Sequence, residues 1–298
     1  MPPAGSHVDC AVSGGPDSVA LMILAIHAGC EVTAIHVDHG LREGSGREAG
    51  VVAKVASRFG AGFEAVQVDI AHGANLEARA REARMKALPD GVSTGHTMDD
   101  QAETVLISLL RGSGLDGVSA MKPGIRHPIL NLRRAETVQL CEMLGAETVD
   151  DPTNASNQFL RNRVRHQLIP LCCEIAGRDV VPLLARHALL AREESDFLDD
   201  LANGIDPCDV NALNGTGKVL ARRAIREWLR SGEYRYPPDL AGVERVLSVA
   251  AGECKGTDVV PGIHVSRSRG MLTKTRKPPA STMGKRSTRP TTSKRLSG

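Results

Sequence analysis

No C-x-x-C pair occurs anywhere in the chain, and its seven cysteines stand at positions 10, 30, 141, 172, 173, 208 and 254. An odd number without paired spacing excludes both a disulfide framework and a zinc knuckle. Aromatic residues are scarce, with one Trp, two Tyr and four Phe among 298 residues, which weakens any reading built on base stacking. The longest unbroken apolar run, Val19 to Ile26, is far short of the roughly 18 to 20 residues that span a bilayer. Met1 to Cys10 shows no leader anatomy, so a cytoplasmic location without a membrane partner is expected. No internal repeat is found. The phosphate-loop pattern G-x-x-x-x-G-K-[ST] is also absent.

What the chain does contain is ordinary globular material. Hydrophobic residues make up 41% and charged residues 24%, and the length suits one large or two ordinary domains. The formal net charge of +2 hides an asymmetry, because Lys274 to Gly298 carries eight basic side chains and no acidic one. That stretch is too poor in apolar residues to offset its ordering entropy and is expected to be disordered. A basic tail on an acidic body suits a nucleic-acid partner or simple solubility.

Strand and helix signals alternate from Val8 to Leu144. Val8 to Val12 reads as a buried strand, followed by Ser13-Gly14-Gly15-Pro16-Asp17-Ser18 and the apolar helix Val19 to Ala28. Further strands are expected at 31–37, 63–68, 91–94 and 125–130, with helices at 45–60, 75–88, 98–111 and 135–144. Such alternation implies an α/β fold with a doubly wound, mainly parallel sheet, whose crevice lies beyond the carboxyl ends of the strands. Beyond Asn154 the strand signals fade. A long helix from Arg178 to Leu201, a linker at 204–217, two helices near 218–230 and 240–250, and three short strands from Thr257 to Thr273 suggest a second, smaller α+β domain.

The first loop places two glycines after a strand and Ser18 at a helix start, where free N–H groups and the helix dipole favour a phosphate. No lysine stands there, so the balancing cations must come from elsewhere. Asp38 and His39 follow the second strand into the same crevice, where a carboxylate can bind a metal or polarise a nucleophile; a strand-end turn is the plainer reading. On the helix from Met98, the residues Ala102, Val105, Leu106 and Leu109 form a stripe expected to be buried. Asp100 and Glu103 then share a polar face able to grip an ammonium, or simply complement the helix N-terminus. His96 is either a turn residue or a catalytic one. Arg111, Arg161, Arg163 and Arg165 are candidate phosphate cations, with helix-end complementation and a solvated run as the alternatives.

The hexapeptide Ser13 to Ser18 resembles the pyrophosphate-binding loop of the ATP pyrophosphatase (PP-loop) superfamily. The segments that follow it are His36-Val37-Asp38-His39-Gly40-Leu41-Arg42, Asn75 to Arg81, Gly95 to Thr104, Arg111-Gly112-Ser113-Gly114, and Asn154 through Arg161–Arg165 to Pro170. In that order they are similar to the tRNA(Ile)-lysidine synthetase family over about residues 8 to 170. Departures from the family's pattern fall at Arg84-Met85 and His127-Pro128.

The resemblance implies an adenine nucleotide α-hydrolase-like catalytic domain over 1–177 and a connecting helix and linker over 178–206. A small tRNA-binding domain over 207–273 and a disordered basic tail over 274–298 complete the expected organisation. It implies ATP with Mg2+, L-lysine, and an isoleucine tRNA with a CAU anticodon, and it leaves a homodimer open. Nucleotide contacts are expected from Ser13, Gly14, Gly15, Pro16, Asp17, Ser18, His36, His39, His96, Asn162 and Arg163. Catalytic work falls to Asp38, Asp100, Glu103 and Arg111, with Asp38 also the metal ligand. A PP-loop tRNA thiolase and a non-catalytic ATP-sensing module are the alternatives. The thiolase is disfavoured by the missing cysteine pairs.

Overall fold

The structure, a computed structural model, describes residues 1–38, 45–68, 83, 86–149, 159–230 and 239–276. His39, the Asn75–Arg81 segment, Asn154 and the chain beyond Arg276 lie outside those residues. Two compact units emerge, Met1–Ser195 and Asp196–Gly298. Their division falls inside a single helix, Val181–Asn203, which the sequence reading assigned to a connector over 178–206.

The first unit is built on four parallel strands: β1 (His7–Ala11), β2 (Glu31–Asp38), β3 (Gly62–Gln67) and β4 (Ser93–Thr94), in the order β3-β2-β1-β4. Alternation along β1 and β2 sends Val8, Cys10, Val12, Val32 and Ala34 to one face. There they meet α1 (Pro16–His27) and Val52, Val55 and Ala56 of α2 (Ser45–Phe59). Ile35, Val37 and Ala11 face the other way, against Leu88 and Val92. The apolar run that is too short for a membrane is a buried helix, with Val19 to Ile23 and Ala25 all buried. Among the described residues no helix is long and apolar enough to cross a membrane.

Strand order decides where a ligand can enter. The chain steps from β1 outward to β2 and β3, then returns to the opposite side of β1 as β4. The direction of winding reverses at β1, and a crevice opens at its carboxyl end, where the glycine loop lies. Gly95, directly after β4, fits against that loop so closely that an added Cβ would lie 2.6 Å from the Asp17 carbonyl oxygen and 2.8 Å from Ser18 Cα. Only glycine permits this approach.

After β4 come α3 (Met98–Leu110), the short α4 (Leu115–Val118), α5 (Arg134–Met143) and α6 (Leu160–Arg163). A π-turn (Val164–Leu168), α7 (Ile169–Ala176) and α8 (Val181–Asn203) follow. Three expectations need correction here. The strand expected at 125–130 is a turn. Thr94 N donates to Arg126 O at 2.9 Å, but Gly124 has a positive φ, His127 N closes back onto Gly124 O at 2.9 Å, and Pro128 has no N–H to extend a ladder. Leu109, expected in the buried stripe of α3, is 52% exposed, whereas Ala102 and Val105 are fully buried. The stripe is lost because packing covers only the first two turns of the helix. Thirdly, Glu103, expected on a polar face beside that stripe, is buried completely.

The second unit packs α9 (Val210–Gly215), α10 (Lys218–Arg230) and α11 (Leu240–Ala251) against an antiparallel sheet, β5 (Gly256–Val260), β6 (Ile263–Ser268) and β7 (Met271–Arg276). Part of the expected 204–217 linker is the helix α9, because the Asp209 carboxylate accepts from Asn211 N and caps it while Val210 and Leu213 enter the core. β7 also runs three residues into the stretch read as tail. Lys274 Nζ donates to Trp228 O at 2.8 Å, so this basic residue is part of the folded unit.

Replacing Gly95 with Ala should force the Asp17–Ser18 backbone and β4 apart. We expect a loss of about 1–3 kcal/mol in urea unfolding of the chain; an unchanged midpoint would contradict the close approach.

Candidate active site

Glycine at position 14 adopts φ +92°, which turns the chain sharply out of β1. Pro16 begins α1 at a position whose N–H is not needed. Ser18 then closes the loop on itself: its Oγ accepts from Ser13 N at 3.2 Å, donates to Gly15 O at 2.9 Å and lies 3.3 Å from Ser13 Oγ. Behind the loop, His36 is buried and its Nδ1 donates to Val12 O at 2.8 Å, so it holds the backbone one residue before the loop begins. The result is a self-bonded turn at the end of β1, in which the Ser18 and Val19 amides also donate to Gly15 O, each at 3.1 Å, as the helix begins.

A cluster of ion pairs borders this turn. Arg134, the first residue of α5, spreads one guanidinium over three carboxylates. Its Nε donates to Asp17 Oδ2 at 3.0 Å, its Nη2 to Asp100 Oδ1 at 2.9 Å and its Nη1 to Glu103 Oε1 at 3.3 Å. Thr137, one turn along α5, donates its hydroxyl to the other oxygen of Asp17. Arg161 Nε reaches Glu103 Oε2 at 2.7 Å and its Nη2 reaches Asp100 Oδ1 at 2.9 Å. Arg165 lies four residues on and donates to both oxygens of Glu103, at 2.6 and 3.2 Å. Asp100 is also the capping acceptor of α3, with Oδ2 taking Thr97 N at 2.9 Å and Thr97 Oγ1 at 3.0 Å. Asp99 binds Arg133 through two nitrogens, at 3.1 and 3.2 Å, and accepts Arg134 N at 2.8 Å.

Burial would favour neutral carboxyls here, and the guanidinium groups decide the outcome. For Asp100 desolvation pushes the pKa up. Arg134, Arg161 and the Thr97 amide outweigh it and hold the group down at about 2. Asp99 is likewise lowered, with burial opposed by Arg133 and the Arg134 amide. Asp17 goes the other way: burial raises it more than Thr137 and Arg134 lower it, and Asp100 adds repulsion. The Arg134 guanidinium is raised, because the three carboxylates outweigh its own burial. Elsewhere in the unit, burial pushes Cys10 up to about 12 and Cys141 up to about 11, so neither thiol supplies a thiolate near neutral pH.

The expected site residues do not all meet. Asp17, Asp100 and Glu103 converge on one cluster. Asp38 closes β2, half-buried, at the carboxyl edge of the sheet. His96 Nδ1 is 2.7 Å from Thr94 Oγ1, and its ring stands edge-on to His127 with centroids 5.0 Å apart. Asn162 is buried beside Arg161, and Arg163 is exposed. Arg111 is not brought to the carboxylates. It is exposed at the C-terminal cap of α3, three turns from Asp100 at the other end. Sequence reasoning missed Arg134, Thr137 and Thr97. A signal for Arg134 existed, since Arg133 and Arg134 open a helix at the end where the dipole disfavours cations.

Arg134→Gln leaves three largely buried carboxylates short of a partner and should destabilise the chain by about 3 kcal/mol near neutral pH. In the wild type, the stability contributed by Asp100 is complete above its unfolded pKa near 3.9 and is lost as pH falls toward 2. Asp17, being raised, contributes in the opposite sense and loses its share as pH rises. Without Arg134, Asp100 keeps Arg161 and the Thr97 amide but less of its advantage over burial, so acid costs the variant less than the wild type. Urea midpoints of the two proteins should therefore converge between pH 6 and pH 3. A constant gap would show that Arg134 does not act through these carboxylates.

Residues 2–172 match the family model for the PP-loop domain. The tRNA(Ile)-lysidine synthase of Nocardia farcinica is 37% identical over 296 residues, covering 92% of this chain and 93% of that protein. That of Rhodococcus erythropolis is 40% identical, covering 74% of this chain and 73% of its own length. The enzyme from Mycolicibacterium paratuberculosis is 38% identical, covering 90% of each. With a PP-loop domain over more than half of the chain and matches that cover 73 to 93% of the length of these named relatives, the chain belongs to the tRNA(Ile)-lysidine synthase family.

Proposed function

We propose that the protein is an ATP-dependent ligase that joins lysine to C2 of the wobble cytidine in an isoleucine tRNA with a CAU anticodon. The observation that carries this reading is the single guanidinium of Arg134, which ties the phosphate-loop carboxylate Asp17 to the paired carboxylates Asp100 and Glu103. A phosphate site and an ammonium site are thereby neighbours, as a reaction that activates with ATP and then adds an amine requires.

In the first step the cytidine C2 oxygen attacks the α-phosphorus, the bond to the β-phosphate oxygen breaks, and diphosphate leaves. Ser13, Gly14, Gly15 and Ser18 form the turn that receives that leaving group, its shape fixed before the diphosphate arrives by the bonds of Ser18 Oγ to Ser13 N and Gly15 O. In the second step the lysine ε-amine attacks C2, the C2–oxygen bond to AMP breaks, and AMP departs with its electron pair. The ε-amine must be neutral, although its free pKa is about 10.4, so a carboxylate has to accept its proton. We assign that work to Asp38 and the recognition of lysine to Asp100 and Glu103. His36 positions the loop through Val12, while Asn162 and Arg163 contribute to nucleotide contact.

The described residues hold no group of three or more His, Cys, Asp or Glu that could bind a metal by themselves. A magnesium ion carried by the triphosphate needs only one or two carboxylates. Asp38 at the sheet edge fits that role. When bound, the ion would neutralise phosphate charge. The raised thiols of Cys10 and Cys141 offer nothing to a sulfur-transfer reading.

Incubation of the protein with tRNA, ATP and lysine should convert the wobble cytidine to a nucleoside heavier by lysine less one water, read by mass spectrometry. Replacement of oxygen by sulfur would favour a thiolase, and unchanged cytidine with no diphosphate release would favour a sensor.

Glu103→Gln should separate the half-reactions. Loss of charged hydrogen bonds to the amine should cut lysine transfer by roughly 10- to 100-fold more than tRNA-dependent ATP–pyrophosphate exchange. An equal fall in both would remove Glu103 from lysine recognition.

A further inference from the structure

The two carboxylates assigned to lysine have no spare acceptor. Asp100 offers one oxygen to Thr97 and the other to Arg134 and Arg161. Glu103 takes four N–H donors from three arginines, and its side chain is 1% exposed. A carboxylate has about four lone-pair sites, so an incoming ammonium would meet an already saturated pair. The cluster is also balanced in charge, with Asp17, Asp100 and Glu103 facing Arg134, Arg161 and Arg165.

We propose, resting on the assignment of Asp100 and Glu103 to lysine, that Arg134, Arg161 and Arg165 form a lock on the lysine site that the triphosphate opens. The guanidinium groups hold both carboxylates in a self-paired state. Nucleotide phosphates at the loop draw one or more of them away, and the lysine ammonium takes the vacated oxygens.

Two observations and one physical constraint support the exchange. Arg134 already touches the phosphate loop through Asp17, so it stands at the edge of both sites. The arginine side chains retain 23 to 32% exposure while Glu103 has almost none, so it is the cations that have an outward path. Lastly, a buried carboxylate cannot be left unpaired without a cost of several kcal/mol, so departure of a guanidinium must be matched by arrival of another cation. Guanidinium binds phosphate as readily as carboxylate, with two parallel hydrogen bonds, which makes a change of partner feasible. Triphosphate brings about four negative charges to a neutral cluster, and lysine restores a positive one. The two ligands should therefore bind with positive coupling, and reciprocally.

Equilibrium dialysis of labelled lysine against the full chain, with and without α,β-methylene-ATP and magnesium, tests the lock. Lysine should bind at least tenfold more tightly with the analogue, and lysine should tighten the analogue by the same factor. Arg161→Gln removes one arm while Arg134 and Arg165 remain. Lysine affinity without nucleotide should then rise, and the coupling factor should shrink at least threefold, which loss of a merely structural contact would not produce. Nucleotide-independent lysine binding that Glu103→Gln still abolishes would overturn the lock and leave the lysine site standing. A fall in lysine affinity in Arg161→Gln would also overturn it, by assigning that arginine to lysine itself. Lysine binding unaffected by Glu103→Gln, or absent with and without the analogue, would overturn the site assignment and the lock together.

Discussion

One guanidinium holds the site together. Arg134 joins the helix that starts at the phosphate loop to the start of α3, and its own helix is fixed in turn by Asp99 on the Arg134 amide and by Thr137 on Asp17. Remove that contact and the loop loses the guanidinium that ties it to the carboxylate pair, while burial works against three negative charges at once. Everything else in the first unit serves to deliver these groups: the reversal of winding at β1 puts the loop at the crevice, and Gly95 lets β4 lead α3 in close beside it.

The electrostatics follow from depth. Glu103 has no exposure, and an unpaired charge at that depth carries a large desolvation cost. It is paired because two arginines from the α6–π-turn segment and one from α5 converge on it, and Asp100 is held low in pKa by the same cations. Buried ion pairs of this kind give little net stability compared with apolar packing, since desolvation consumes most of the attraction. Their presence in this place accords with the proposed chemistry, in which a polyanion and an ammonium are held side by side and the partly exposed guanidinium groups change partner beside the buried carboxylates.

Local pattern carried much of the fold into view. β1, the glycine loop, α1 and the start of α3 were legible because strand alternation, a Gly-Gly turn and the helical spacing of apolar residues after Met98 are signals written within a few residues. Distant pairings were not. Arg134 and Asp17 are separated by 117 positions, and no periodicity links them. Glu103 read as part of a polar face beside the apolar stripe because helical spacing says nothing about arginines arriving from 58 and 62 residues away. The strand expected at 125–130 failed for a local reason that hydrophobicity outvoted, namely Gly124 and Pro128 flanking a tight turn. Arg111 was given weight because the phosphate loop has no lysine of its own, and it stands at the end of α3 away from Asp100 and Glu103.

The claim that Arg134 couples the phosphate loop to the paired carboxylates is tested most directly by a double-mutant cycle. Asp17→Asn, Asp100→Asn and the double variant would be compared by urea unfolding, in the wild-type and in the Arg134→Gln background. Two carboxylates sharing one guanidinium should show an interaction of roughly 0.5–3 kcal/mol that collapses when Arg134 is gone. Additive effects in the wild-type background, or a coupling that survives the loss of Arg134, would contradict it.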